Sequence, residues 1–241
     1  MKREPSRSLD HLVGDQIAKW DRQRIEQKKK TERYCPRPCI TISRDPGSGG
    51  TDVARRLAQD LGMDLVGAKI IQQVAERADM SEKVIASLDE KEVRLRDSWL
   101  DSLFRTHHMW PDEYVRHLTK VIGTIGKQGH AIIIGRGGQF ILPPEETFRV
   151  RLIAPREVRI RNVMRDSGSD FENAERYVYK TEADRNAFLR KHFHANWTDS
   201  GYYDLIVNTG SLGIEGAVVV IRAAFAEWNK QLKGQSADHE N

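Results

Sequence analysis

A glycine-rich turn between a short apolar run and an amphipathic segment is the feature that most constrains how this chain can fold. The β-branched run at residues 39–43 predicts a buried strand, and the turn at residues 46–50 follows it directly. Apolar residues recur at helical spacing from Thr51 to Leu61, and Gly62 suits the position after a helix C-terminus. Because backbone N–H groups and a helix N-terminus converge on such a turn, this order of elements predicts a phosphate-binding site.

The turn departs from the phosphate-binding motif G-x-x-x-x-G-K-[ST] at the two positions that carry its first glycine and its lysine. Gly49 and Thr51 match the motif, but Arg44 replaces that glycine and Gly50 replaces the lysine. The missing lysine matters most, since that cation offsets charge on the phosphate being transferred. Residues 44–51 are called the phosphate loop below.

Arg44 is the candidate replacement for the lysine. Its guanidinium could fork onto two phosphate oxygens from the base of the phosphate loop. Alternatively, Arg44 could pair with Asp45 or Asp52 and make no contact with a ligand. We favour the first interpretation, because arginine is preferred for phosphate recognition.

The phosphate loop also supplies the predicted nucleotide-binding residues, whose glycines would bind phosphate through backbone N–H groups. These residues are Asp45, Gly47, Ser48, Gly49, Gly50 and Thr51. The hydroxyl of Thr51 would coordinate Mg²⁺ if the loop holds a triphosphate. As a plain helix N-cap, the same hydroxyl would need no metal, and the two roles can coexist.

Further apolar runs predict strands that alternate with helical segments. The runs cover residues 131–135, 148–154 and 204–209, and residues 64–66 are a shorter candidate. Strands that alternate with helices predict right-handed crossovers and an α/β fold, in which helices cover both faces of a parallel sheet.

Three separated motifs resemble the cytidylate kinase-like family, and they lie at residues 40–50, at 132–138, and at 203–209 with 212–217. The resemblance spans residues 38–225. It implies a P-loop NTPase fold of the nucleoside monophosphate kinase type, with three α/β/α layers and a five-stranded parallel sheet. It also implies ATP as the donor and a mobile helical lid that carries arginines. True cytidylate kinases have the loop lysine that this chain replaces.

The resemblance also implies arginines for the acceptor side. Arg136 matches the arginine of a Gly-Arg-Asp sequence that engages the acceptor in cytidylate kinases, although Gly137 replaces the acid. Arg185 and Arg190 lie in the lid-like stretch. The alternatives are that Arg136 binds loop carbonyls, and that the lid arginines belong to a solvated helix face with ion pairs.

These residues predict an ATP-dependent phosphotransferase of nucleoside monophosphate kinase type that uses Mg²⁺, with CMP as a candidate acceptor. The alternative is a catalytically weak or inactive regulatory module, which binds nucleotide but lost turnover with the lysine. Catalytic roles are predicted for Arg44, Arg136, Arg185 and Arg190.

The chain is predicted to contain one domain with an extension at each end. Residues 1–37 are expected to form a helical extension and linker, with an amphipathic helix at residues 9–31. The kinase-like domain is expected over residues 38–228, and a disordered tail over residues 229–241. The N-terminal helix could dock on the domain, on a protein partner or on a second copy.

Composition narrows the partners and the compartment. A net charge of +4 and a pI near 9.0 suit an anionic ligand such as a nucleotide, which we favour. The same charge would also suit weak contact with nucleic acid, which is the less favoured alternative. No run of about 18–20 apolar residues and no signal-peptide core is evident, so a cytoplasmic protein without membrane contact is expected. Cys35 and Cys39 have no second cysteine pair with which to form a tetrahedral zinc site, and both are expected to stay reduced.

Overall fold

The computed structural model describes residues 38–68 and 113–238, together with the single residues 18 and 71. The chain divides into two compact units, one of which combines Pro36–Gly67 with Gly129–Asn241. The other combines Met1–Cys35 with Ala68–Gln128. The sequence predicted one continuous domain over residues 38–228, whereas residues 68–128 are assigned to the other unit. The predicted helix at residues 9–31 lies outside the described residues, apart from residue 18.

The first unit contains a parallel sheet of five strands in the order β2-β3-β1-β4-β5. The strands are β1 (Cys39–Arg44), β2 (Asp64–Val66), β3 (Ala131–Ile134), β4 (Thr147–Ile153) and β5 (Leu205–Asn208). The central strand β1 pairs in parallel with β3 on one side and with β4 on the other. This sheet and its helices confirm the predicted α/β fold of the P-loop NTPase type.

Helices alternate with these strands. In the described residues they are α1 (Gly50–Leu61), α2 (Glu113–Gln128), α3 (Gly138–Ile141), α4 (Arg156–Ser167), α5 (Phe171–Phe193) and α6 (Thr209–Asp238). Short 3₁₀ turns occupy Pro144–Glu146 and Ser200–Tyr202, and α2 belongs to the second unit. Gly62 ends α1 in the left-handed conformation that its sequence position predicted.

The core of the first unit lies between α1, the sheet and α6. Ile40 and Ile42 of β1 are fully buried, and the apolar face of α1 packs against them through Val53 and Leu57. From α6, Ile221 enters the same core. The strand that precedes the phosphate loop and the helix that follows it are therefore both anchored in one core.

Helix α6 is more apolar than the sequence analysis recognised. Its segment Thr209–Leu232 is long and apolar enough, by length and composition alone, to cross a membrane. The expectation that no such stretch exists is therefore wrong. Core helices that never enter a membrane also pass this test, and Ala217, Ile221 and Phe225 of α6 are buried in the core cluster.

The C-terminal part of α6 also differs from the prediction. A disordered tail was expected from residue 229, whereas the helix continues to Asp238. Aromatic packing holds the preceding turn, because Trp228 lies 5.6 Å from Phe148 and 6.1 Å from Phe225 between ring centroids. A helix anchored in this way can extend through the following residues, which include good helix formers.

Phe225→Ala is expected to lower the free energy of unfolding by about 3–5 kcal/mol, because it leaves a cavity beside Phe148 and Trp228. Urea unfolding followed by circular dichroism measures this loss. The control is Val219→Ala on the same helix, where the side chain is 55% exposed and the expected change is within about 0.5 kcal/mol. Equal losses in the two variants would contradict this packing.

Candidate phosphate-binding site

Hydrogen bonds hold the carbonyl groups of the phosphate loop. The oxygen of Asp45 accepts from Ser48, at 3.2 Å from its backbone N and at 2.9 Å from its Oγ. Asn162 of α4 donates its amide Nδ2 to the Gly47 oxygen at 2.8 Å. Thr209, at the start of α6, donates its hydroxyl to the Ser48 oxygen, also at 2.8 Å. Side chains from two later helices thus fix the loop conformation.

The N–H groups of the loop are available to a ligand. Within residues 38–68 and 113–238, no protein acceptor receives a hydrogen bond from the N–H groups of Gly47, Gly49, Gly50 and Thr51. Gly50 and Thr51 begin α1, whose N-terminus carries the positive end of the helix dipole. Free donors and a helix N-terminus together form an anion-binding site.

A cavity of about 670 Å³ opens beside the loop. The whole phosphate loop lines it, together with Asp52, so all six predicted nucleotide-binding residues and Arg44 lie at one site. The opposite wall comes from α4, α5 and their connection, through Val163, Asp166, Ser167, Ser169, Asn173, Tyr177 and Arg185. The volume is within the range of small-molecule sites.

The aliphatic part of Arg44 packs against Gly50, the residue at the lysine position of the motif. A Cβ built on Gly50 would lie 2.7 Å from Arg44 Cβ and 2.8 Å from its Cγ, so a side chain there would force Arg44 to shift. The guanidinium continues towards Gly135, where a Cβ would collide with Arg44 Nη1. The two departures from the motif therefore depend on each other, because Arg44 can adopt this position only when residue 50 has no side chain.

The alternative partners of Arg44 are engaged elsewhere. Asp45 Oδ1 lies 3.3 Å from Arg151 Nη2, and Asp52 Oδ1 lies 2.7 Å from Arg55 Nη1. Among the described ion pairs, Arg44 does not pair with either aspartate. Arg44 therefore keeps its positive charge beside the cavity without a neutralising carboxylate from the loop.

Three arginines gather around the base of the loop. Burial lowers the pKa of Arg44 to about 9, and the nearby charges of Arg185 and Arg136 act in the same direction. Burial also lowers the pKa of Arg185, whose Nη1 donates to the backbone oxygen of Arg44 at 2.8 Å. The mutual repulsion of these arginines makes the base of the loop a positive site that a bound anion would stabilise.

Arg190 does not join this cluster. It is exposed in the last turn of α5 and does not line the cavity. An α-helix turns through about 100° per residue, so five positions place Arg190 roughly 140° around the helix from Arg185. The sequence treated the two arginines alike, because their orientation depends on how α5 packs.

The packing of α5 is set partly by a buried arginine of α4. Arg159 donates to the Ala154 oxygen at 3.1 Å and pairs with Glu182 of α5 at 2.9 Å. Arg185 lies on the same helix, less than one turn beyond Glu182. Helix α5 is thus tied to α4 by a specific contact.

Several residues of this site were not predicted from the sequence. Asn162 and Tyr177 were not among the predicted site residues. Thr209 ends a predicted strand, and that position next to the turn could have suggested a contact with the loop. Their roles depend on the packing of distant segments.

Magnesium fits this site only with ligands from the substrate. No group of three or more His, Cys, Asp or Glu residues suited to a metal occurs among the described residues. Thr51 places one hydroxyl at the cavity wall. Mg²⁺ commonly keeps several waters and binds substrate phosphates, so a single hydroxyl on this wall is compatible with it.

Cys39 is unsuited to metal or redox chemistry. It is buried in β1, and burial raises the pKa of its thiol to about 12. A thiol with such a pKa stays protonated at neutral pH and is a poor nucleophile and a poor ligand. Cys35 lies outside the described residues.

The chain is similar to known proteins over most of its length. A family model described as the cytidylate kinase-like family matches residues 39–211. A cytidylate kinase from Ignicoccus hospitalis is 28% identical over 184 residues, which cover 76% of this chain and 96% of the relative. A cytidylate kinase from Methanopyrus kandleri is 27% identical, with 77% and 92% covered. A crystal structure of an uncharacterized protein from Eubacterium ventriosum has a TM-score of 0.59 at 21% identity, with 79% of this chain and 99% of that chain covered.

Proposed function

Because this chain belongs to the cytidylate kinase-like family, we propose that it transfers a phosphoryl group from ATP to a nucleoside monophosphate, with CMP as the first candidate acceptor. One observation carries the proposal. The Cβ and Cγ of Arg44 pack against Gly50 and its guanidinium extends to Gly135, so a buried cation lies at the base of the phosphate loop in a chain that lacks the loop lysine. This cation would offset charge on the transferred phosphate, and neither Asp45 nor Asp52 pairs with it.

The phosphate loop binds the donor. The N–H groups from Gly47 to Thr51 hold the phosphates of ATP, and Arg44 contacts the phosphate to be transferred. Thr51 contributes a hydroxyl to Mg²⁺, which, when bound, offsets charge on the donor phosphates. The residues of the chain therefore act mainly by positioning the donor phosphates and by placing positive charge beside them.

The other two arginines of the cluster serve the acceptor side. Arg185 reaches the Arg44 carbonyl from α5, and Arg136 follows β3 at the carboxyl edge of the sheet. A monophosphate between them and the loop would have its attacking oxygen near the donor phosphate. Arg190 receives no role in this arrangement, because it is exposed in the last turn of α5 and is not among the arginine charges that act on Arg44.

The wider setting of this activity is also a proposal. The substrates are free nucleotides, and we expect the protein to act in the cytoplasm without membrane or nucleic-acid contact. The N-terminal segment is a candidate for contact with a protein partner or a second copy.

A coupled assay with ATP, Mg²⁺ and a panel of monophosphates tests the proposal. ADP release that depends on one monophosphate, with CMP tried first, is expected for the wild type. Arg44→Met, purified in parallel, controls for contaminating kinases. Measurable ATP binding without turnover on any acceptor would instead support the regulatory module, for which the glycine at the lysine position is the motivating feature.

A further inference from the structure

Arg151 neutralises the carboxylate of the phosphate loop. It lies on β4, beside the central strand, and its side chain is buried. Its Nη2 lies 3.3 Å from Asp45 Oδ1, with 9% and 10% of the two side chains exposed. Burial raises the pKa of Asp45, and the charge of Arg151 opposes that change. A buried carboxylate needs such a partner, so Arg151 fixes the residue next to Arg44.

The same guanidinium contacts the segment that follows α5. It stacks over the Trp197 ring at 4.4 Å from the centroid and lies 5.6 Å from the Tyr203 ring. Its Nη1 donates to the backbone oxygen of Trp197. The Tyr203 hydroxyl donates to that oxygen as well, at 2.8 Å. Trp197 and Tyr203 lie between α5 and β5, so one side chain touches both the loop and this connection.

We propose that Arg151 is a positioning residue, which sets the conformation of the phosphate loop and couples it to the connection after α5. The connection that Arg151 contacts follows α5, and α5 carries Arg185. Arg151 therefore joins the phosphate loop to the segment that follows the helix of an acceptor-side arginine. The kinetic consequences of this inference rest on the proposed function. Its structural consequence does not, because the contacts of Arg151 with Asp45 and Trp197 are all within the protein.

Arg151→Met tests the inference against a matched control on the same strand. Arg149 lies two residues earlier on β4, and its side chain donates to Asp204, at 2.7 Å for the closest pair, rather than to the phosphate loop. In glycine-labelled ¹⁵N spectra without nucleotide, the amide resonances of Gly47, Gly49 and Gly50 should move in Arg151→Met and stay in Arg149→Met. With substrates, Arg151→Met should raise KM for ATP by about tenfold, the size of one lost charged hydrogen bond, with a smaller change in kcat.

Two further variants keep the test decisive if Arg151→Met fails to fold. Asp45→Asn with Arg151→Met leaves neither charge buried and should still move the three glycine resonances. Arg151→Lys keeps the charge opposite Asp45 and should return them towards the wild-type positions. Unmoved glycine resonances in folded Arg151→Met, or in the double variant, would overturn the inference. If the resonances move but the wild-type protein binds no ATP, the result would support the positioning role of Arg151 and overturn the proposed function.

Discussion

Arg44→Met is expected to lower kcat for phosphoryl transfer by about 10²–10³-fold, the loss typical of removing one donor that stabilises charge in the transition state. Methionine is unbranched like arginine, so its Cβ and Cγ can still lie over Gly50 while the cation is gone. Steady-state kinetics with ATP and the preferred acceptor measure the loss.

The same substitution is expected to stabilise the protein without ligand by about 0.5–2 kcal/mol, as often occurs when a strained functional group is removed. The pKa of Arg44 is lowered to about 9 in the folded state, so the native protein holds this proton less tightly than the unfolded chain. At neutral pH the charged group therefore costs stability, and this cost falls only as the pH rises through about 9. Urea unfolding at pH 7 without nucleotide measures the gain.

Arg55→Met is the matched control, because it removes an arginine from α1 whose side chain is 57% exposed and paired with Asp52. It should leave kcat within twofold and the free energy of unfolding within about 0.5 kcal/mol of the wild type. Equal activity in Arg44→Met and Arg55→Met would remove Arg44 from the catalytic site.

The exchange Arg44→Gly with Gly50→Lys is expected to recover activity that each single substitution loses. Gly50→Lys alone places a Cβ 2.7 Å from Arg44 Cβ, so it should cost about 1–3 kcal/mol of stability through overpacking. Arg44→Gly alone removes the cation and should resemble Arg44→Met in kcat. Together, the two substitutions recreate the G-x-x-x-x-G-K-[ST] motif without the collision.

A double-mutant cycle on kcat/KM and on the free energy of unfolding measures this coupling. The two positions touch, so their effects should be strongly non-additive, with the double variant better than Gly50→Lys in both quantities. Gly67→Ala controls for the general cost of replacing a glycine, because its φ, like that of Gly50, is not positive and a Cβ there would meet nothing within 4 Å. Additive effects of Arg44→Gly and Gly50→Lys would contradict the idea that the arginine replaces the lysine.

The local sequence pattern was sufficient to predict the strand, turn and helix that form the phosphate loop and its flanks. The β-branched run of β1, the glycines of the turn and the helical spacing of α1 are adjacent in sequence, so their order alone defines strand, loop and helix. The runs that became β3, β4 and β5 were also recognisable, because each is rich in β-branched and other apolar residues. The C-terminal end of α6 was missed because its anchor, Trp228 on Phe148, joins distant segments.

The candidate site depends on contacts that no local pattern contains. Asp45 and Arg151 are 106 positions apart, and Arg185 and the Arg44 carbonyl are 141 apart. The sequence showed that Arg44 and Gly50 depart from the motif, but only the structure shows that one side chain occupies the space above the other residue. For Arg190 the sequence prediction was misleading, because a pattern of charges does not show which side of α5 faces the cavity.

A crystal structure with Mg²⁺ and a non-hydrolysable ATP analogue would show whether Arg44 binds the donor phosphates. We expect a guanidinium nitrogen of Arg44 within about 3 Å of an oxygen on the terminal phosphates of the analogue. We also expect the N–H groups of Gly49 and Gly50 to point at the same phosphates. An Arg44 side chain turned away from a fully occupied phosphate loop would contradict this expectation.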